Sequence, residues 1–257
     1  MSDVGLTLRQ IRYTNKAFWR NPASAFFTFA FPLMFLVIFT TLLGNGTSGI
    51  PGLAGQINTA TIYVPAMAAF SVITACYTNI AISVSFQRDA GILKRTRGTP
   101  MPGWAYLLGR VVHAVLVAIL LVIIVAAFGK LFYDATLPAG TSLLQFILML
   151  VVGAFSFTAL GLALTAVIPN ADASPAIVNA SILPLLFLSG VFIPLGTHPP
   201  AWVDWVGKVF PARHFLEGMN AAFLGAPFKW TDVLVVVLWG LAGLVLAARF
   251  FSWEPRK

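Results

Sequence analysis

The 257-residue chain is 59% hydrophobic and 9% charged, with a mean hydropathy of +0.89. So few charges exclude a soluble domain of this size and describe an integral membrane protein. The net charge of +8 sits in clusters between apolar stretches, where Lys and Arg set orientation and meet lipid head groups. Membrane lipids are therefore expected as partners and nucleic acid is not.

In the N-terminal segment, Leu8, Ile11, Asn15, Phe18 and Trp19 fall near one face at helical spacing. Arg9, Arg12, Lys16 and Arg20 gather on the others, which predicts an interfacial helix over residues 1–22. Asn21-Pro22 then turns the chain into the membrane. No removable signal peptide is expected, because the first apolar run is too long for a signal core and lacks a small-residue cleavage site.

Residues 21–87 contain no charged side chain, about three times the roughly 20 residues of one span. The glycines and proline of NGTSGIPG, residues 45–52, divide this run into spans at 23–43 and 59–86. Further spans are expected at 104–128, 141–168, 174–193 and 232–251, with Arg110 snorkelling to an interface. Between the fourth and fifth lies IPNADASP, in which Asn170 or Asp172 is placed to cap the next helix. The whole chain reads as one all-α membrane domain, 1–257, with six transmembrane helices, a basic loop at 87–103 and a proline- and tryptophan-rich stretch at 194–231 before the last span. With six spans, twelve of the sixteen Lys and Arg residues fall on one side, so both termini are expected to be cytoplasmic in the cell (plasma) membrane.

The loop RDAGILKRTRGTPMP, residues 88–102, is longer than the about 2 to 8 residues that usually connect helices. A short helix over 87–96 would carry Ala90, Ile92 and Leu93 as an apolar ridge among Arg88, Lys94, Arg95 and Arg97, stopped by Gly98, Pro100 and Pro102. Such a ridge suits a groove with an acidic rim on a soluble partner; a merely solvated topological loop is the plainer alternative.

The stretch FQRDAGILKRTRGTPMPGWAYLLGRVVHA, through Arg88, Asp89, Gly91, Leu93, Thr99, Pro100, Gly109 and Arg110, resembles the cytoplasmic loop of the type-two ATP-binding-cassette exporter permeases. A second stretch, LPLLFLSGVFIPLGTHPPAWVDWVGKVFPARHFLEGMNAAF, through Leu188, Ser189, Gly190, Pro194, Pro200, Trp202, Pro211 and Phe215, is similar to the same family's fifth span and extracellular re-entry. The tail is closest to the drug-exporting branch. Asp89-Ala90 departs from the acidic run of many relatives.

That resemblance implies the membrane half of an exporter, working by alternating access with a cognate nucleotide-binding ATPase subunit that holds ATP and Mg. It also implies a homodimer or a pair with a similar permease. The loop at 87–103 becomes a cytoplasmic coupling loop, short extracellular re-entrant helices are expected within 194–231, and Arg88, Asp89, Gly91, Leu93, Thr99 and Pro100 become the expected contacts to the ATPase. The residues agree in one respect: no GxxxxGK[ST] loop is present, Gly129-Lys130 being followed by Leu131, so no cofactor is expected on this chain and no enzymatic activity. Neither HExxH, GxSxG nor paired acids in a span suggest a hydrolase. His113, His198 and His214 are not spaced as a metal site, and the lone Cys76 builds no thiolate site.

Polar residues within the spans mark a candidate pathway: Thr74 and Asn79 in the second, Asn179, Ser181 and Ser189 in the fifth. Interhelical hydrogen bonding is the plainer role for each hydroxyl. Pro184, Gly190 and Pro194 are candidates for a kink or gate. The phenylalanines of the first span read as packing or lipid surface. A hydrophobic or amphiphilic cargo, drug or lipid, fits the uncharged spans. Export of cell-envelope polysaccharide or lipid-linked glycan is the alternative, and a secondary transporter is disfavoured because Asp172 and Asp232 fall at span ends.

Overall fold

The computed structural model describes residues 3–42, 47–49, 56–99, 101–195 and 199–254. Helix α1 spans Asp3–Trp19 and α2 spans Pro22–Leu42. Asn21 joins them, its Oδ1 accepting the Ser24 N–H at 3.2 Å, so the residue before the helix-opening proline caps it. Two short antiparallel strands follow, β1 (Thr47–Gly49) and β2 (Gln56–Asn58), with Thr47 opposite Asn58. The expected break at 45–52 otherwise lies outside the described residues.

The second apolar run forms one rod: α3 (Thr59–Ile73), a π-helical turn (Thr74–Thr78) and α4 (Asn79–Asp89). About 72% of its most apolar stretch is buried, against 22% for α2, so this rod is the axis around which the others pack. The extra residue of the π turn has a packing cause. Gly161 of α7 (Thr141–Leu164) approaches so closely that a Cβ there would lie 2.7 Å from the Tyr77 carbonyl oxygen. Tyr77 in turn reaches Ser181 Oγ at 2.8 Å on α8 (Ser174–Leu188), and the bulge thereby ties three helices together.

After α4 come α5 (Ile92–Arg97) and α6 (Gly103–Tyr133); α9 (Ala201–Val209), α10 (Pro211–Leu224) and α11 (Trp230–Phe250) follow α8. The sequence pattern expects one helix over 87–96, but the chain instead turns sharply at Gly91, whose φ of 71° starts α5 in a new direction. Among the described residues, five helices are long and apolar enough to cross a membrane: α2, the rod from Thr61, α6, α7 and α11. Helix α8 is apolar but has 15 residues, ending in a Schellman motif in which Val191 N–H donates to Leu186 O and Gly190, at φ 88°, donates to Phe187 O. The fifth expected span, 174–193, is therefore helical only as far as Leu188.

Helices α7 and α11 pack closely, with Gly240 and Gly243 of α11 against Ser156 and Leu160, the small-residue contact that stands in for hydrophobic driving force within lipid. Helix α10 buries Phe215 against Phe157 of α7 and also meets α3. In α2, Phe35 and Phe39 pack with Phe70, Phe192 and Tyr63, whereas Phe26, Phe27 and Phe31 are exposed. Contacts collect α1, the α4–α5 corner, the α7–α8 loop and the C-terminal segment at one end of the bundle. Trp253 lies on Tyr106, Lys94 is 3.9 Å from Glu254, and α1 packs on α6. The strand pair, the segment after α6 and the α9–α10 pair lie at the other.

Candidate functional site

At the α4–α5 corner the loop's first two residues turn inward. Arg88 is 1% exposed and its guanidinium donates to the carbonyls of Thr165 at 2.9 Å and Ile168 at 2.8 Å, with Pro169 at 3.4 Å. Asp89, 3.3 Å from Arg88 Nε, accepts the Ala171 N–H. Arg88 thus satisfies carbonyls left open at and just beyond the end of α7, and Asp89 an amide N–H of the loop that follows. Asn170 Oδ1 accepts from Ala173 N–H at 2.8 Å just ahead of α8, leaving Asp172 exposed.

This placement corrects the outward ridge expected for the loop. Leu93 is fully buried, because the turn at Gly91 rotates it into the core, and Ile92 is the exposed apolar residue at 45%. Arg88 is likewise no free cation. Lys94, Arg95 and Arg97 remain exposed beside Ile92, and Thr99 is exposed with its Oγ1 donating to Thr96 O. Pro100 lies outside the described residues.

Two cavities flank the polar stripe Asn79, Ser83 and Gln87, which recurs every four residues on α4. The first, about 480 Å³, lies between α1, α4, α5 and α6. The second, about 600 Å³, lies between α2 and the rod, and its wall is mostly aromatic and aliphatic: Phe27, Phe31, Phe70, Ile82 and Phe86. Ser24 borders both.

Of the expected pathway residues, Thr74 and Asn79 line the second cavity, Asn79 the first as well. The three on α8 do not join them. Ser181 bonds Tyr77, Ser189 is buried with its Oγ donating to Leu186 O at 3.0 Å, and Asn179 is exposed on the outer face. Pro184 lies inside α8, Gly190 forms its terminal turn and Pro194 is exposed beyond it.

Arg110 does not snorkel to an interface; it is 6% exposed on the wall of the first cavity. Its Nη2 donates to Ser83 at 2.6 Å and its Nη1 to the Tyr106 hydroxyl at 3.4 Å, while Tyr106 donates to Gln87. From sequence, Gln87 marks the start of the loop helix and Arg110 a span end within the family resemblance; neither is expected on the pathway. The four-residue spacing of Asn79, Ser83 and Gln87 was the available signal.

At the opposite end, Asp204 binds Lys208 at 2.6 Å and Arg213 at 2.8 Å, Arg213 binds Glu217 at 2.9 Å, and Lys229 reaches Glu217 at 3.6 Å. Lys208, then Arg213, hold the Asp204 carboxyl below its usual value. His214 links Lys208 O to the buried Asp232 at the start of α11. This network fixes the α9–α10 pair to the last helix. Among the described residues no cluster of His, Cys, Asp and Glu is arranged to hold a metal.

Comparison with known proteins gives one family match: the ABC-2 type transporter family, over residues 7–224. The chain is 24% identical over 225 residues to ycf38 of Porphyra purpurea, named as a transport permease, covering 86% of this chain and 75% of that one. It is 26% identical over 225 residues to the inner membrane transport permease YadH of Escherichia coli, covering 86% of this chain and 82% of the relative. A third similar protein, named as a probable multidrug ABC transporter permease, is YbhR of E. coli, 26% identical over 161 residues, 63% of this chain and 43% of the relative.

Proposed function

The chain belongs to the ABC-2 type transporter family, and from that premise we propose that it is the permease of an ATP-driven exporter that moves a hydrophobic or amphiphilic drug or lipid out of the cell. It is a multi-pass membrane protein and the membrane subunit of an ABC transporter. Nucleotide chemistry then belongs to a separate ATPase subunit holding ATP and Mg. In this reading α8 is a sixth span, α1 lies in the cytoplasmic interface, and α9 and α10 re-enter from outside. Both termini are cytoplasmic in the plasma membrane.

The observation that carries the coupling mechanism is the Arg88–Asp89 clamp. Load applied at α5 by an ATPase passes through Gly91 into α4, and through the bonds to residues 165–171 into α7 and α8 together. The rod, α7 and α8 are already joined at the π turn. A pull on the corner therefore moves these helices as one unit, as alternating access requires. Ile92, flanked by Lys94, Arg95 and Arg97, is the contact offered to an acidic-rimmed groove. The exposed carboxamide of Asn179 on an otherwise apolar helix favours a second permease copy, since an amide facing lipid alone is costly.

Reconstitution with the cognate ATPase tests the reading. Lipophilic drugs or lipids are expected to stimulate ATP turnover and to be transported. Stimulation by lipid-linked glycans alone would replace the cargo assignment, and proton-driven flux from the purified chain without any ATPase would overturn the exporter reading. Ile92→Asp is the coupling variant: it is expected to preserve insertion and to abolish stimulated turnover. Leu93→Asp, by contrast, places a charge in the core and is expected to unfold the corner.

A further inference from the structure

Among the described residues Arg110 meets only neutral partners, Ser83, the Tyr106 hydroxyl and the face of the Tyr106 ring at 5.9 Å. It is buried, among the described residues no carboxylate pairs with it, and its Nε has no hydrogen-bond partner. One turn further along α6, the Nδ1 of His113 is also buried and unpartnered, and both side chains line the same cavity. In the adjoining cavity Thr78 Oγ1 is a third such atom. A guanidinium held away from water without a counter-charge is costly, and an orphaned donor adds to that cost. Residues around Arg110 are neutral and rich in donors: Gln10, Tyr13, Thr14, Asn79 and Gln87. The site is therefore built for an anion with several acceptor oxygens.

The two compartments divide by polarity. Arg110 and His113 line the first, phenylalanines the second, and Ser24, Asn79, Ser83 and Gln87 border both. A free anion would use only the first. We propose that this pair of cavities binds an amphiphile bearing a net anionic phosphate head, the phosphate meeting Arg110 and the apolar part lying against Phe27, Phe31 and Phe70. The planar fork of arginine suits phosphate oxygens, and the unpaired Nε is the open tooth of that fork. The inference rests on the exporter reading only in assigning the amphiphile as cargo. The binding site itself stands without an ATPase.

The test uses the full-length chain in a phosphate-free maltoside micelle, with native mass spectrometry as the readout. Probes are phosphatidic acid, phosphatidylcholine of the same acyl chains, and inorganic phosphate. Phosphatidic acid is expected to bind saturably, and inorganic phosphate to compete only in large excess. Arg110→Gln is expected to weaken phosphatidic acid binding about ten- to hundredfold, with Arg110→Lys intermediate and the exposed Arg249→Gln unchanged.

The wild-type comparison among probes holds even if a variant folds poorly. Phosphatidylcholine binding as tightly as phosphatidic acid would overturn the proposal, as would inorganic phosphate matching the lipid or undiminished binding by a folded Arg110→Gln. If anionic lipid binds through Arg110 while no amphiphile stimulates an ATPase, the exporter reading fails and the site stands. If transport proceeds with no such binding, the site fails alone.

Discussion

Arg88 is the residue at which charge on a loop and charge in a structure part company. Its guanidinium bonds carbonyls 77 to 80 residues away in sequence, where α7 has ended and its last acceptors need donors. Replacing it by leucine removes those donors and leaves Asp89 without its cationic partner, only the Ala171 N–H remaining. Arg88→Leu is expected to cost about 3 kcal/mol, read as a lowered melting temperature in detergent, whereas the exposed Arg95→Leu should fall within about 0.5 kcal/mol of the parent. Arg88→Lys keeps the charge but not the fork, and should lie between them. The sequence showed a basic loop because composition is local information. It did not show which basic residue turns inward, since that depends on where a distant helix stops.

A second residue-scale expectation concerns acid. Lys208 and Arg213 depress the pKa of Asp204, so its folded carboxyl ionises more readily than its unfolded one. A depressed folded value means that the contribution is complete above the unfolded pKa of about 3.9 and is lost as pH falls through the folded value. Hydrogen exchange in α9 should therefore be flat from pH 7 to about pH 5, after correction for intrinsic exchange, and should show loosening only below about pH 4. In Asp204→Asn that acid-dependent step is expected to be missing, and its persistence would show that the network does not hold the helix.

At the scale of elements, the helices were readable because long uncharged runs and turn residues are strong signals. The rod's π turn was not. Its residues Thr74–Thr78 have no composition that separates a wide turn from an ordinary one, and the cause lies across the interface, where Gly161 sets backbone against backbone. Gly161→Ala is expected to destabilise by about 1–3 kcal/mol, because its Cβ would meet the Tyr77 carbonyl rather than a yielding side chain. The corner behaves differently. A Cβ at Gly91 meets nothing within 4 Å, so substitution there tests conformation alone. Gly91→Asn, which tolerates a left-handed backbone, should be nearly neutral, and Gly91→Val should cost about 1–2 kcal/mol.

For the whole molecule, ten of the fourteen Lys and Arg among the described residues fall at the end that gathers α1, the α4–α5 corner and the C-terminal segment under the expected span count. That count requires α8 to cross the membrane although it has only 15 helical residues, roughly 22 Å at 1.5 Å per residue. It starts beside residues 165–171, which the Arg88 clamp holds at the basic end, and its far end meets the α9–α10 pair. The non-helical residues 189–192, which are buried, would then continue the passage with Phe192 against Phe35, Phe39 and Phe70, so that protein covers this irregular backbone as far as the exposed Ile193. Without that crossing, α9 would lie on the same side as α5.

Accessibility separates the two cases. Cys76 is free and buried, and Cys76→Ala gives a background for single introduced cysteines. In intact cells an impermeant maleimide is expected to label Ala201→Cys, at the exposed start of α9, and to label Arg97→Cys only after permeabilisation. Labelling of both from outside would mean that α8 does not cross. Labelling of Arg97→Cys alone would invert the chain, and the basic corner would then face away from any cytoplasmic ATPase.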